Sequence, residues 1–209
     1  TRVKICGLRS KSDVQAAIDA GADFIGFVDH PKSSRHIIPA EAAKLMAGLP
    51  PQISSVIVTV NPTDEWIDQI DFYVTPDYIQ LHGDESPTRV REIKKRLHEP
   101  RIIKAIPVSD AGDIKRATEY ADCADMLLFD TKFAGSRGGS GKTFNWSLLH
   151  GQQIPLPWML SGGLNAENIS SAIFKTGATM VDVSSGVESA PGVKDATLIK
   201  QFIEAAKRL

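Results

Sequence analysis

At 209 residues the chain has the length of one large domain, and 42% hydrophobic against 23% charged residues is too apolar a balance for a disordered polymer. Its 24 basic and 25 acidic residues, mixed along the whole length, leave a formal net charge of -1, which excludes a basic field that would hold nucleic acid or an anionic membrane. Two cysteines are too few for a disulfide scaffold, no apolar stretch nears the ~18 to 20 residues that cross a bilayer, and Thr1–Cys6 lacks the regions of a secretory signal, so a cytoplasmic protein is expected.

In chain order, short β-branched apolar runs alternate with longer segments of helical periodicity. The first predicted strand is Val3–Cys6, and Ser12 with Gln15 suggests a capping box for the helix behind it, which Gly21 closes. Phe24–Val28 and Ser55–Val60 follow, then Tyr78–Leu81, after which Ser86-Pro87 supplies an N-cap and a proline in the first helical turn. Ile102–Ile106 and Met126–Phe129 precede the longest irregular stretch, 131–145, a Gly-rich segment placed as an active-site loop. Asn145 begins the next helical signal. Trp158–Leu160, a helix starting at Asn165 and closed by Gly177, and Met180–Val183 complete eight βα units. Near-continuous apolar strands joined by helices specify a parallel sheet covered on its outer face, and eight units over residues 1–209 specify one α/β domain, a (β/α)₈ or TIM barrel. A doubly wound open sheet is the alternative that a βα count alone leaves standing.

In such a barrel the chemistry sits where strands end and βα loops begin. Cys6, Asn61, Gln80, His82, Lys104, Asp130, Ser161, Asp182 and Ser184 all fall there. Strand alternation puts Lys4 on the face that carries Cys6, and an ammonium beside a thiol favours the thiolate, a usable base. Asp130 ends an apolar strand, where desolvation favours a carboxyl that keeps its proton for donation. Cys6 and Asp130 are therefore the expected acid–base pair. Cys123, before the sixth strand, is expected to be a buried structural residue. Arg35, in the loop after the second strand, has the fork geometry to hold a substrate carboxylate, and His82 is expected in a secondary role. Gly162 and Gly163 after strand seven, and Ser184, Ser185 and Gly186 after strand eight, stand ahead of helical signals. Glycine amides and helix N-termini suit an anion, so a phosphorylated small molecule is the expected partner.

The segment Ser136–Thr143 approaches a P-loop, but Ser136 replaces its first glycine and no strand runs directly into it. Nucleotide binding is not expected.

Taken together, Lys4-Ile5-Cys6-Gly7, Gly26-Phe27-Val28 with Pro31-Lys32-Ser33 and Arg35, Gln80-Leu81-His82-Gly83, Gly138–Phe144, Leu160–Leu164 and Asp182–Glu188 make an ordered set. On these motifs the chain resembles the phosphoribosylanthranilate isomerases of tryptophan biosynthesis over essentially its whole length. The resemblance implies an Amadori rearrangement of an aldose amine to a ketose, without cofactor or metal. It places the acid at Asp130, the base at Cys6 and the anthranilate carboxylate at Arg35. Gln80, His82 and Asp182 are the further expected substrate-binding residues. Asp29, His30, Ser34 and Thr59 depart from the family's usual residues. Asp29 matters most, because a carboxylate beside the expected anthranilate site would pair with Lys32 or Arg35 and weaken binding, or else turn outward. The rival readings are another phosphosugar barrel, of epimerase or indole-glycerol-phosphate synthase type, and a non-catalytic phosphate-ligand binder. Oligomeric state is open, with a monomer favoured.

Overall fold

The computed structural model describes residues 1–131 and 143–208. Eight parallel strands, β1 (Arg2–Cys6), β2 (Phe24–Val28), β3 (Ser54–Thr59), β4 (Tyr78–Leu81), β5 (Arg101–Val108), β6 (Met126–Thr131), β7 (Trp158–Leu160) and β8 (Met180–Val183), pair in chain order. β8 returns to β1, with Arg2 opposite Met180 and Val3 opposite Val181, so the sheet is a closed barrel and not an open one. Around it lie α1 (Lys11–Ala20), α2 (Pro39–Met46), α3 (Asp64–Tyr73), α4 (Pro87–Arg96), α5 (Ala111–Lys115), α6 (Ile169–Thr176) and α7 (Ala196–Lys207). Between β6 and β7 the described residues form only a 3₁₀ turn, Trp146–Leu149, which Asn145 caps as expected by accepting from the Ser147 amide. A short hairpin of β9 (Glu188–Ala190) and β10 (Val193–Lys194) follows β8. None of the described helices is long and apolar enough to cross a membrane.

Most of the punctuation behaves as expected. Ser86 caps α4 through the Arg89 amide, with Pro87 in the first turn, and Gly21 and Gly177 close α1 and α6 in the left-handed region at φ 90° and 70°. Two caps are displaced. Ser10, not Ser12, caps α1: its backbone is still extended and its hydroxyl accepts from the Asp13 amide, whereas Ser12 already lies inside the helix. Asn165 caps a preliminary turn, accepting from the amides of Glu167 and Asn168, so α6 itself begins at Ile169. The expected active-site loop and most of the P-loop-like segment fall in residues 132–142, outside the described residues.

Strand alternation sorts the apolar residues into two cores. Outward residues such as Val3, Ile5, Ile25, Ile57 and Ile79 pack against helix residues such as Val14, Ala17, Ile199 and Phe202. Inward residues Phe24, Val56, Tyr78, Ile103, Met126, Leu128, Met159 and Met180 fill the barrel. At the N-terminal end Phe24 meets Tyr78 edge-to-face at 5.9 Å, and the guanidinium groups of Arg2 and Arg101 lie over those two rings at 4.3 and 4.2 Å. That end is filled. Polar interior side chains are left for the opposite rim.

Candidate active site

The cavity at the C-terminal rim spans about 770 Å³, its open mouth included. Its wall includes Cys6, Arg35, Gln80, His82, Asp130, Gly162, Gly163, Asp182, Ser184 and Ser185. Of the residues given a catalytic, substrate-binding or phosphate-binding role from sequence, only Gly186 stands back from it. There loop eight rests on loop seven so closely that a Cβ on Gly186 would lie 1.9 Å from the Leu164 carbonyl oxygen. Asn61 and Lys104 are diverted to structural work: the Lys104 ammonium is buried against Glu85 at 2.7 Å and donates to the Gly83 carbonyl, while Glu85 accepts from the Asn61 and Gly83 amides. Cys123 is wholly buried, as expected of a structural residue.

Lys4 organises the floor. Fully buried, its ammonium donates to Asp182 Oδ1 at 2.7 Å and Gln80 Oε1 at 2.9 Å, and its charge also acts on the Cys6 thiol. The Ser161 hydroxyl donates to the other Asp182 oxygen at 2.9 Å. Two side chains so close on one strand leave no room across the sheet: a Cβ on Gly26 would lie 2.9 Å from Cys6 Sγ and 3.1 Å from Lys4 Cε. Burial pulls the Lys4 ammonium down, but the negative charges of Asp182 and Cys6 outweigh it and the net shift is upward.

For Cys6 the structure reverses the expected sign. Desolvation of the buried thiol pushes its pKa up, Asp182 adds to this, and the ammonium groups of Lys4 and Lys194 offset it only in part. The ammonium expected beside Cys6 is present, but its charge is already matched by Asp182. Cys6 therefore rests as a thiol, and a neutral buried thiol stabilises the fold fully below the ordinary thiol pKa. As pH rises from about 8.5 the unfolded chain releases this proton while the folded one holds it, so stability falls. Lys4, also raised, acts in the same direction only above the ordinary lysine range. We expect urea titrations of Cys6→Ala to lose less stability than wild type on moving from neutral to mildly alkaline pH; equal slopes would sink this assignment.

Across the mouth, Asp130 Oδ2 faces His82 Nε2 at 3.1 Å and Asp130 Oδ1 accepts the Thr131 amide at 2.8 Å. Gly162, at φ 90°, leaves space that only hydrogen can occupy, since its Cβ would lie 2.8 Å from Asp130 Oδ1. Arg35 presents its Nε–Nη2 fork to Glu188, with both bonds at 2.7 Å, so these two parallel bonds already serve a carboxylate of the protein itself. Among the described residues its Nη1 has no hydrogen-bond partner. Lys194 joins the same cluster, donating to Glu188 Oε1 and the Ser184 carbonyl. Burial works against the Glu188 carboxylate, but hydrogen bonds from Arg35 and Lys194 hold it below its ordinary pKa. Lys194 was missed by the sequence reading, although Pro191-Gly192 between two short runs is the hairpin signal that places it.

Asp29 pairs with neither Lys32 nor Arg35. Its Oδ1 lies 3.0 Å from His36 Nε2 and its Oδ2 accepts the Trp66 indole N–H at 2.6 Å, so the carboxylate is held away from the guanidinium. His30 lines the cavity, and Thr59 is buried with its carbonyl accepting from the His82 amide.

Comparison with known proteins agrees with this geometry. A family model described as N-(5'-phosphoribosyl)anthranilate (PRA) isomerase matches residues 3–205. The N-(5'-phosphoribosyl)anthranilate isomerase of Cereibacter sphaeroides is 48% identical over 209 residues, covering 99% of this chain and 98% of that protein. The crystal structure of the phosphoribosyl anthranilate isomerase from Thermotoga maritima superposes with a TM-score of 0.90 at 43% identity, covering 100% of both chains. A phosphoribosyl anthranilate isomerase in complex with reduced 1-(o-carboxyphenylamino)-1-deoxyribulose 5-phosphate gives 0.87 at 40% identity, again with full coverage of both. By sequence and by fold, the chain belongs to the N-(5'-phosphoribosyl)anthranilate isomerase family.

Proposed function

We propose that the chain converts N-(5-phosphoribosyl)anthranilate to 1-(2-carboxyphenylamino)-1-deoxyribulose 5-phosphate by general acid–base catalysis, a cytoplasmic step of tryptophan biosynthesis. The observation that carries this reading is that Cys6 and Asp130 open on one cavity, with Gly162, Gly163, Ser184 and Ser185 on its wall. Backbone amides of these loops receive the phosphate, and Gly186 holds loop eight in place behind them. The Nη1 side of Arg35 faces the anthranilate carboxylate, while Gln80, His82 and Asp182 form the wall toward the ribose.

Asp130 donates a proton to the furanose ring oxygen. The C1′–O bond breaks as the nitrogen lone pair forms an iminium, and the Thr131 amide already donating to Asp130 Oδ1 stabilises the carboxylate left behind. Cys6, as thiolate, takes the C2′ proton, and the electrons of that C–H bond neutralise the iminium to give an enolamine. Ketonisation adds a proton at C1′ and removes one from the 2′ oxygen. Asp130 ends one proton poorer and Cys6 one richer, so a proton must pass from thiol to carboxylate before the next cycle. Because Cys6 rests as a thiol and the reactive form also needs a protonated Asp130, only a fraction of the enzyme is ready at neutral pH.

The test is incubation with phosphoribosylanthranilate and no added metal, followed by loss of anthranilate-type fluorescence. Consumption supports the isomerase. Binding without turnover, or turnover only on adding metal, sinks it in favour of a binder or a metal-dependent epimerase.

A further inference from the structure

We propose that Gln80 is a positioning residue that fixes His82 as its Nε2–H tautomer, so that His82 donates to Asp130 and cannot accept from it. The inference rests on the acid role given to Asp130 above, but its structural premise is independent of turnover.

The Lys4 charge leaves the Gln80 amide no choice of orientation. An ammonium only donates, so the end of the Gln80 amide 2.9 Å from Lys4 Nζ is its oxygen. The other end, 2.8 Å from His82 Nδ1, is then the NH₂ group, which only donates. His82 Nδ1 must accept, and the neutral ring therefore carries its hydrogen on Nε2, 3.1 Å from Asp130 Oδ2. Neither the other tautomer nor the imidazolium has an acceptor at Nδ1. Gln80 is 1% exposed and Lys4 not at all, so water does not offer an easy substitute partner. The charge of Lys4 also acts on Cys6, so the same buried ammonium influences both base and acid.

The chemical consequence is directional. When Asp130 is protonated, the ring nitrogen facing it already bears hydrogen, so the acid proton cannot be parked there and stays available to the substrate. When Asp130 has donated, the charge that develops meets two N–H groups already in place. The opposite tautomer would sequester the proton and withdraw a donor.

The experiment uses enzyme labelled with ¹⁵N-histidine, with the signals of His82 identified among five histidines by their loss in His82→Asn. Long-range ¹H–¹⁵N spectra across neutral to mildly alkaline pH should show a pyrrole-type Nε2 and a pyridine-type Nδ1. Gln80→Glu puts an acceptor beside Nδ1 and should reverse the pattern, with kcat falling roughly 10²-fold, the effect of losing one preorganised donor, and KM little changed. Gln80→Met, which imposes nothing, should give a mixture of tautomers and an intermediate kcat. A wild-type ring protonated on Nδ1 overturns the proposal, as does reversal in Gln80→Glu with kcat intact, or loss of kcat in both variants with the tautomer unmoved. Retained turnover in Asp130→Asn would sink the acid assignment instead, leaving the tautomer reading to stand or fall by the spectra.

Discussion

Replacing Cys6 by serine or Asp130 by asparagine is expected to lower kcat by ~10²–10⁴, the usual worth of a positioned acid or base, while leaving the barrel folded. Serine keeps the size, but a hydroxyl is far less acidic than a thiol and the nearby Lys4 charge, already matched by Asp182, does not stabilise its anion enough to make it a base. Asparagine fills the space of Asp130 and has no acidic proton. It also turns an NH₂ group toward either His82 Nε2 or the Thr131 amide, both donors, so a modest local destabilisation accompanies the chemical loss. The double variant should be little worse than the slower single one, because each residue is useless without the other. Steady-state fluorescence assays with circular dichroism melts check all three; full activity in either single variant would remove the pair from the mechanism.

Lys4→Met is expected to have the largest effect on stability. Methionine retains the length of the side chain, but Asp182 loses its buried counter-charge and keeps only the Ser161 hydroxyl. Breaking a buried ion pair from one side costs ~3–5 kcal/mol, a fall in Tm on the order of 10 °C for a chain of this size. Adding Asp182→Asn should restore most of that stability by removing the stranded charge. It should not restore activity, because Gln80 and Cys6 remain without the ammonium that orients one and partly compensates the other. Urea titration and kcat measured on both variants give the test, and a Lys4→Met protein as stable as wild type would show the pair to be dispensable.

The barrel was legible because its strands are apolar on both faces and are separated by caps and glycines at regular intervals. Seven of the eight βα units carry an α-helix where the periodicity put one; among the described residues the sixth carries only a 3₁₀ turn, its pattern being four residues long. That Cys6, Asp130 and the two Gly/Ser loops line the cavity was legible because strand ends are the mouth of such a fold. What escaped the sequence were quantities set by three-dimensional neighbours. The sign of the Cys6 shift depends on Asp182, 176 positions away, having claimed the Lys4 charge. Asp29 looked hostile to substrate because its partners, His36 and Trp66, arrive from other segments. Lys194 lies beyond the last barrel strand and reaches the site only because a hairpin folds it back.

The plugged end of the barrel has a kinetic implication. With Phe24, Tyr78, Arg2 and Arg101 packed together at the bottom, reactant and product are expected to share the rim as their doorway. Each must vacate before the other can occupy, so accumulated ketose competes directly with incoming amine, and traffic through the entrance sets a ceiling on turnover however fast the protons move.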